Sequence, residues 1–353
     1  MPRTSAATSP ASRSAPLVIV GGANGLSDTI FRLPRDSGRT STASIVTAVP
    51  PPSGDPSTRI IRSGGPYAAA CDDLVNIAAL GSVPLDDILA VISHARDVTV
   101  HSEVCVALAA RAIPLVVCDA AYMPVALLLG LHTHHVQASR IEAQAAVTRP
   151  MRKRLWARVV RAKLGQQAAV LEAIGANASV VKRLAGSVRS GDPDNLEGQA
   201  ARRYWPLLFG PQFRRRRDDS GINAFLNYGY AVARAGMARA VVAAGLHPSL
   251  GLHHSHDGNA MRLVDDLIEP FRPLIDVAVW ELVQRGESEL TPTNKRVLVG
   301  ACYQDITTAV GQTPVFVAMQ RLAISLAQVL TGARNALDLP ASRVSLGSSR
   351  ARA

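Results

Sequence analysis

The sequence has few cysteines and no long apolar run, and each lack excludes a class of protein. None of the four cysteines, Cys71, Cys105, Cys118 and Cys302, belongs to a CxxC pair, and three lie in apolar runs. A free thiol in such a run behaves as a small buried hydrophobe, so we expect a reducing compartment and no zinc cage. The longest apolar stretch, MPVALLLGL at 123–131, falls well short of the ~20 residues that a membrane span needs. We therefore expect a soluble, cytoplasmic protein without a membrane partner.

The sequence also lacks a nucleotide-binding loop in its one suggestive glycine segment, LVIVGGANG at 17–25. A dinucleotide fingerprint needs GxGxxG and a P-loop needs GK[ST], and neither pattern is present there. The glycines therefore indicate a turn after a strand.

The distribution of strand and helix formers divides the chain into four parts. Residues 1–16 and 336–353 are rich in small polar residues and arginine, which predicts disordered tails, the second of them basic. Residues 17–132 alternate short aliphatic runs with Gly, Pro, Asp and Ser, which predicts a β-rich α/β domain. Residues 133–335 have helical spacing throughout. The predicted fold class is α+β, a β-rich N-terminal domain followed by an all-helical C-terminal domain.

Local patterns within these parts are specific enough to predict single elements. VTV, SEVCVALAARA and IPLVVCD, between 98 and 119, predict a strand, a helix and a strand. The 26 residues of GINAFLNYGYAVARAGMARAVVAAGL carry only Arg234 and Arg239 as charges, which predicts a buried central helix. Gly245 is suited to end it.

The positive charge of the chain is concentrated in one segment. The net charge is +11, and residues 149–217, called the basic segment below, contain 16 Lys and Arg against four acids. Arg202, Arg203 and the run Arg214–Arg217 belong to it. A run of like charge is often only solvated. Inside so basic a segment, phosphate contact is the favoured interpretation, because neutralised phosphates release counterions.

Glu197 stands alone as an acid between Asp194 and Asp218, in the stretch PDNLEGQAARRYW. Asn195 or Asp194 is the predicted N-cap, and an acid in the first turn is favoured by the helix dipole with no further role. Small neighbours such as Gly198 indicate room for a ligand. Glu197 is therefore also a candidate for metal or phosphate chemistry.

The stretch GLHHSHDGNAMRLVDDLIEPFRP, residues 251–273, gathers three histidines and several acids. In a helix from about Met261, Leu263, Leu267 and Phe271 form one stripe. Asp266 and Glu269 are i, i+3 neighbours on another face. One interpretation is a solvated acidic face. The other is a divalent-cation site, since carboxylate oxygens suit Mg²⁺ or Mn²⁺ and an imidazole favours Mn²⁺.

Three of these motifs, in order and with matching spacing, resemble a known family. They are NLEGQAARRYW, INAFLNYGYAVARAGMARAVVAAGLHPSLGLHH and LVDDLIEPFRP, and the likeness extends over about residues 74–330. The family is the CRISPR-associated endonuclease and integrase of spacer acquisition, Cas1. IPLVVCDAAYMP resembles the compact form found beside type II systems. About 70 residues precede the likeness, whereas the family usually begins directly with its first strand, so the resemblance is a guide to the site rather than to the N-terminal dimer contacts.

The resemblance implies a site, an activity and partners. Glu197, His254 and Glu269 correspond to the family's metal-binding and catalytic triad, with Asp266 as a secondary acid. The implied reaction is metal-dependent attack of a DNA 3′ hydroxyl on a phosphodiester of the repeat, which inserts a new spacer, and the helical domain is the catalytic one. The implied partners are double-stranded prespacer and repeat DNA, a second copy of the chain and a dimer of Cas2.

Two other functions are compatible with the same residues. A metal-dependent nuclease of branched or damaged DNA would use the same site without integration. A non-enzymatic DNA-binding architectural protein would use the basic segment alone, and it would show no dependence on metal.

Overall fold

A computed structural model gives the fold of the chain. It describes residues 17–21, 29–30, 59–62, 74–77, 81–84, 88–93, 98–100, 102–118, 124–131, 134–216 and 220–341. Arg217 and, apart from 336–341, both predicted tails lie outside these ranges.

The described residues of the N-terminal part form strands and one helix. They are β1 Leu17–Gly21, β2 Thr29–Ile30, β3 Arg59–Arg62, β4 Leu74–Ile77, β5 Gly81–Pro84, β6 Ile88–Ser93, β7 Val98–Val100, α1 Ser102–Ala110, β8 Leu115–Cys118 and β9 Pro124–Leu128. One sheet has the order β2-β1-β6-β8-β9 and another has the order β5-β4-β3-β7. β6 pairs in parallel with β1 and β8, and β9 closes the first sheet antiparallel to β8.

The strand, helix and strand predicted from 98 to 119 are confirmed as β7, α1 and β8. LVIVG forms β1, whereas the turn predicted after it lies outside the described residues. The sheet is not separate from the rest of the molecule, because Ala90 on β6 and Val116 on β8 belong to the same buried core as the helices that follow.

Helices dominate from Gln137 onward. They are α2 Gln137–Ala145, α3 Arg149–Ala173, α4 Ser179–Ser187, α5 Leu196–Phe209, α6 Ile222–Ala243, α7 Arg262–Ile268, α8 Arg272–Gln284, α9 Pro292–Ala301 and α10 Val315–Leu330, with the 3₁₀ turn Glu269–Phe271 between α7 and α8 and the hairpin strands β10 Asp305–Thr308 and β11 Gly311–Pro314 before α10.

α6 is the central helix of this part, as the sequence predicted. It packs against α7, α8, α9 and α10, and most of its residues are buried. Two glycines allow the close approach, since a Cβ at Gly229 would overlap Ile275 and a Cβ at Gly236 would overlap the ring of Phe316. The helix ends before Gly245, which has φ +67° as the predicted cap requires.

The hairpin and the residues after α10 modify the sequence prediction. The α+β class is confirmed, but the helical part also contains the antiparallel pair β10–β11. Residues 336–341 were assigned to a disordered tail, yet the amide of Asp338 donates to Ser325 Oγ at 2.9 Å and the amide of Ala341 donates to the Thr307 carbonyl at 2.8 Å. Residues 337–341 are therefore packed, while Ala336 is exposed. The domain boundary at 132 stays a prediction.

No helix in the part of the chain that the structure describes is both long and apolar enough to cross a membrane.

Candidate functional site

Glu197 is fixed by two capping side chains at the start of α5. Asn195, in the left-handed region with φ 50°, accepts from the Gly198 amide at 3.0 Å. The carboxylate of Asp192 accepts from the amides of Leu196 at 2.9 Å and Glu197 at 3.0 Å. Both side chains satisfy amides that a helix N-terminus leaves free. The predicted N-cap at Asn195 is confirmed, and Asp192 is a second cap that the sequence analysis missed.

Gly198 is small for a reason other than the one inferred from the sequence. A Cβ at this position would lie 2.7 Å from Oδ1 of Asn195. The space beside Gly198 therefore accommodates the capping amide rather than a ligand.

Glu269 enters the site from the break between α7 and α8. Pro270 has no amide hydrogen, so α7 gives way to the 3₁₀ turn that carries Glu269. The Glu269 side chain is only 6% exposed, and its Oε1 forms an ion pair with Arg272, whose Nε lies 3.1 Å away. Asp266 and Glu269 are both buried, so the alternative of a solvated acidic face is wrong for them.

Lys163 of α3 lies between the two glutamates. Its Nζ is 2.5 Å from Oε1 of Glu197 and 2.5 Å from Oε2 of Glu269. Burial alone would lower the pKa of Lys163, but the carboxylates of Glu269 and Glu197 outweigh burial and raise it. Burial would likewise raise the pKa of Glu269, but Arg272 and Lys163 reverse that and lower it. Both shifts favour the ionised form, so Lys163 and Glu269 are charged at neutral pH.

Asp266 organises the loop that carries His254. Its buried carboxylate accepts from the amides of Leu252 at 2.5 Å, His253 at 3.1 Å and His254 at 3.2 Å, and it pairs with His254 Nδ1 at 2.7 Å. The bond to Asp266 outweighs burial and raises the pKa of His254. With Nδ1 engaged, Nε2 is the ring nitrogen that can bind a metal, an arrangement that carboxylates commonly impose on metal-binding histidines.

The neighbouring polar side chains have structural partners. The ring of His253 stacks on Trp156 with centroids 4.4 Å apart and an interplanar angle of 1°. His256 is exposed and accepts from the Gly258 amide at 3.2 Å. Asp265 pairs with Arg234 Nε at 2.6 Å. His254 is thus the histidine of this loop that a buried carboxylate orients.

The predicted ligands are close together but do not form one ligand shell. Among the described residues, no three His, Cys, Asp or Glu side chains are arranged so that they could hold a metal ion. Lys163 lies between Glu197 and Glu269, and His254 is turned to Asp266. The donor set nevertheless fits Mg²⁺ or Mn²⁺, because buried Oε2 of Glu269 has no well-directed hydrogen bond in spite of its contact with Lys163.

A third buried carboxylate, that of Asp276, lies near Lys163 and Arg272 of this site. Asp276 of α8 accepts from Tyr204 of α5 at 3.0 Å and makes a short hydrogen bond with Tyr230 of α6. The guanidinium of Arg272 lies 4.8 Å from the centre of the Tyr230 ring. Asp276 of α8 therefore links α5, which carries Glu197, to α6. No local pattern in the sequence marks Asp276 as part of the site.

The arginines predicted to contact phosphate differ in their surroundings. Arg202, Arg203 and Arg216 are exposed. Arg214 donates to the carbonyls of Pro211 and Phe213 at 2.7 and 2.9 Å. Arg215 donates to the side chains of Asn223 at 2.9 Å and Asn227 at 2.7 Å, and it lies over the Tyr230 ring.

The structure therefore divides the predicted run. Arg215 is bound within the chain, whereas Arg214 and Arg216 are both exposed, and Arg214 also donates to two neighbouring carbonyls. Arg217 lies outside the described residues.

Comparison with solved structures shows which class of fold this is. A casposase bound to integration product matches with a TM-score of 0.63 at 18% identity, covering 92% of this chain and 91% of that one. A Cas1 protein from Thermotoga maritima matches with a TM-score of 0.64 at 16% identity, covering 83% and 98%. The fold is thus the one shared by Cas1 proteins and a casposase.

Sequence comparison then identifies the family. The family model described as CRISPR associated protein Cas1 matches residues 75–303. The CRISPR-associated endonuclease Cas1 of Neisseria meningitidis serogroup C (strain 8013) is 38% identical over 230 residues, which are 64% of this chain and 75% of that protein. A Cas1 endonuclease of Thermus thermophilus is 36% identical over 164 residues, 46% and 50% of the two chains. The chain belongs to the Cas1 family, which confirms the resemblance seen in its motifs.

Proposed function

We propose that this chain is a DNA endonuclease and integrase that inserts new spacers into a CRISPR array, and that Glu197, His254 and Glu269 bind its divalent ion. The observation that carries the assignment is the convergence of Glu197 and Glu269 on one cation, the ammonium of Lys163. Two carboxylates that share a monovalent cation in a shielded site are suited to bind a divalent one.

The residues of the chain have separate tasks in the reaction. A divalent ion bound here supplies a positive charge that polarises the phosphodiester and orients the attacking 3′ hydroxyl. Glu197 and Glu269 provide the negative charge that selects a cation, and His254 provides one nitrogen. Asp266 holds His254 by Nδ1 and keeps Nε2 available. Exposed arginines such as Arg202, Arg203 and Arg216 hold the DNA backbone without reading its bases.

The partners and the metal are part of the same proposal. A solved Cas6-RT-Cas1–Cas2 complex matches this chain with a TM-score of 0.61 at 15% identity over 79% of it. We infer that this chain, like that Cas1 part, assembles with Cas2, as a homodimer bound to double-stranded prespacer and repeat DNA. The ion is Mg²⁺ or Mn²⁺, and the imidazole favours Mn²⁺.

The test is a strand-joining assay with a labelled fragment that has a free 3′ hydroxyl and a plasmid that contains a repeat. Glu197→Gln and Glu269→Gln should each abolish joining and leave DNA binding nearly unchanged, since binding rests on the basic segment. Glu172→Gln is the matched control, because Glu172 is half-exposed and pairs with Lys182 at the surface.

Each alternative function has its own outcome in this assay. Cleavage without joined product in the wild type would identify a nuclease without integration. A chain that neither joins nor cleaves, and whose melting temperature does not respond to Mn²⁺, would be an architectural DNA-binding protein, because a ligand of the folded state raises stability. Undiminished joining by either glutamine variant would overturn the ligand assignment.

A further inference from the structure

Lys163 of α3 is a charged side chain that points into the candidate site, where it contacts Glu197 and Glu269. Its neighbours Val159, Val160 and Leu164 are fully buried in the core. Arg161 is turned elsewhere and donates to the Val188 carbonyl at 3.1 and 2.6 Å. The Lys163 side chain is only 14% exposed, so its ammonium has exchanged most of its water for the two glutamates.

The two carboxylate oxygens that Lys163 contacts are the ones that an ion shared by Glu197 and Glu269 would use. The other oxygen of Glu269, Oε1, is already bound by Arg272 at 3.1 Å. Glu197 Oε1 and Glu269 Oε2 each lie 2.5 Å from Nζ, so they are at most twice that distance apart. An Mg²⁺ ion binds oxygen at about 2.0–2.1 Å. An ion that bound both oxygens would lie between them, in the volume that Nζ fills.

The contact of Lys163 with Glu269 is electrostatic rather than directional. Nζ makes a hydrogen bond with Glu197, but Glu269 Oε2 has no hydrogen bond of acceptable geometry although Nζ is 2.5 Å away. An ammonium on a flexible four-carbon stem can turn away from such a contact, which a planar guanidinium in a bidentate pair could not do as readily.

We propose that Lys163 is an internal counter-ion of the metal site, which neutralises Glu197 and Glu269 and is displaced from between them when the divalent ion binds. This inference rests on the proposed function, because it requires that the two glutamates are metal ligands. Lys163 keeps two buried carboxylates from repelling each other, and it lowers the affinity of the site for metal, because the ion must separate an existing ion pair.

Calorimetric titration of the purified full-length chain with Mn²⁺ tests the proposal. Lys163→Met keeps the length and the apolar stem of the side chain but removes the charge. It should bind Mn²⁺ about tenfold more tightly than the wild type or better, because no ion pair has to be broken. Without added metal it should melt at a lower temperature than the wild type, and saturating Mn²⁺ should remove that difference. Lys182→Met, which breaks the exposed pair with Glu172, should leave Mn²⁺ affinity unchanged.

Two results separate the failure of this inference from the failure of the metal site. If Glu197→Gln abolishes Mn²⁺ binding but Lys163→Met binds as the wild type does, or more weakly, Lys163 does not compete with the ion and only this proposal falls. If Glu197→Gln and Glu269→Gln bind Mn²⁺ as tightly as the wild type, the glutamates are not ligands and both proposals fall.

A measurement on the wild type keeps the proposal testable if Lys163→Met does not fold. An amine-reactive reagent, followed by mass spectrometry, reports how accessible each lysine is. Displacement predicts that Lys163 reacts slowly without metal and several-fold faster in saturating Mn²⁺, whereas Lys182 reacts equally in both. An unchanged or slower reaction of Lys163 in Mn²⁺ would show that its ammonium stays between the glutamates.

Discussion

Two charged regions of the molecule differ in how their charges are held. The acidic cluster, made of Glu197, Asp266, Glu269 and Asp276, is largely buried, and each carboxylate has partners within the chain. The basic segment includes arginines such as Arg202, Arg203 and Arg216 that extend into solvent. In the acidic cluster the loss of a single partner atom would leave a buried charge uncompensated. In the exposed part of the basic segment the charges add up, and each is worth little by itself.

Lys163 and Glu197 show why the distinction needs a structure. Both lie within residues 149–217, and by charge count Lys163 is one of sixteen similar cations. In the fold it belongs to the acidic cluster, where it contacts Glu197 and Glu269 at 2.5 Å. The sequence therefore shows which segment a charged residue belongs to, but only its burial and its partners in the fold show what the residue does.

Apart from changes to the proposed metal ligands themselves, the largest effect is expected from a change in the acidic cluster, Asp266→Asn. The asparagine has one acceptor oxygen where the aspartate uses two, so some of the three loop amides and His254 Nδ1 lose their bond. Strand joining should fall by about 10–100-fold, the usual effect of losing a carboxylate that orients a metal-binding histidine. Unfolding in urea should show a loss of about 1–3 kcal/mol.

Asp257→Asn is the control for this experiment. Asp257 lies near His254 in sequence but is fully exposed and pairs only with Arg262. It should keep the joining rate and the stability of the wild type. If Asp266→Asn joined DNA as fast as Asp257→Asn, Asp266 would not position His254.

The second prediction concerns how the stability of the fold depends on pH. Burial raises the pKa of Asp276 to about 6 from 3.8, and the bonds from Tyr230 and Tyr204 offset this only in part. The folded chain therefore holds a proton that the unfolded chain releases between these values. The stability that Asp276 contributes is fully present below pH 3.8 and is lost as the pH rises through 6. A shift of about two units corresponds to about 3 kcal/mol.

Asp276→Asn does not titrate, so it isolates this contribution. Between pH 4 and pH 7 the free energy of unfolding of the wild type should fall relative to that of Asp276→Asn by about 2–3 kcal/mol. Urea titrations of both proteins at a series of pH values measure the difference. Parallel curves for the two proteins across this range would contradict the prediction.

Elements with local signals could be predicted from the sequence. Alternation of apolar runs with turn residues indicated β7, α1 and β8, and the near absence of charge over 26 residues indicated α6. Asn195 and Gly245 were recognised as caps because capping depends on the residue type at one position. The sequence does not indicate the hairpin β10–β11, because its four-residue strands stand between two longer helices in a region whose spacing predicts helices throughout.

The partners of the buried charges could not be predicted in the same way. Lys163 is 34 residues from Glu197, and Asp276 is 72 residues from Tyr204, and no local pattern marks either pair. The i, i+3 spacing of Asp266 and Glu269 placed them on the same helix face, but it did not show that they are buried. The choice of His254 over His253 came from the family motif, and the stacking of His253 on Trp156 gives it a physical basis only in the folded chain.

The third prediction tests how tightly the His254 loop packs on Asp266. A Cβ at Gly251 would lie 2.9 Å from Asp266 Oδ2, 2.9 Å from the His254 carbonyl and 2.8 Å from Cβ of Arg262. Gly251→Ala should therefore lower the unfolding free energy by about 1–3 kcal/mol, the typical cost of overpacking. Gly300→Ala in α9 is the control, since its Cβ would meet nothing within 4 Å. An alanine there should stabilise the helix by about 0.5–1 kcal/mol. Equal stability of the two variants would mean that the loop moves away at little cost.

The smallest effects are expected in the run that the sequence analysis treated as uniform. Arg216 is exposed, so Arg216→Gln should leave the melting temperature unchanged. If Arg216 contacts a phosphate, the slope of log affinity for DNA against log salt should drop by about 0.9.

Arg215→Gln loses the bonds to Asn223 and Asn227 and the contact with the Tyr230 ring, so it should cost about 1–2 kcal/mol of stability. Its salt slope should match that of the wild type, because the guanidinium is already bound within the chain. Equal changes of slope in both variants would show that Arg215 releases its internal partners to bind DNA, and the boundary between the two charged regions would then shift when DNA binds.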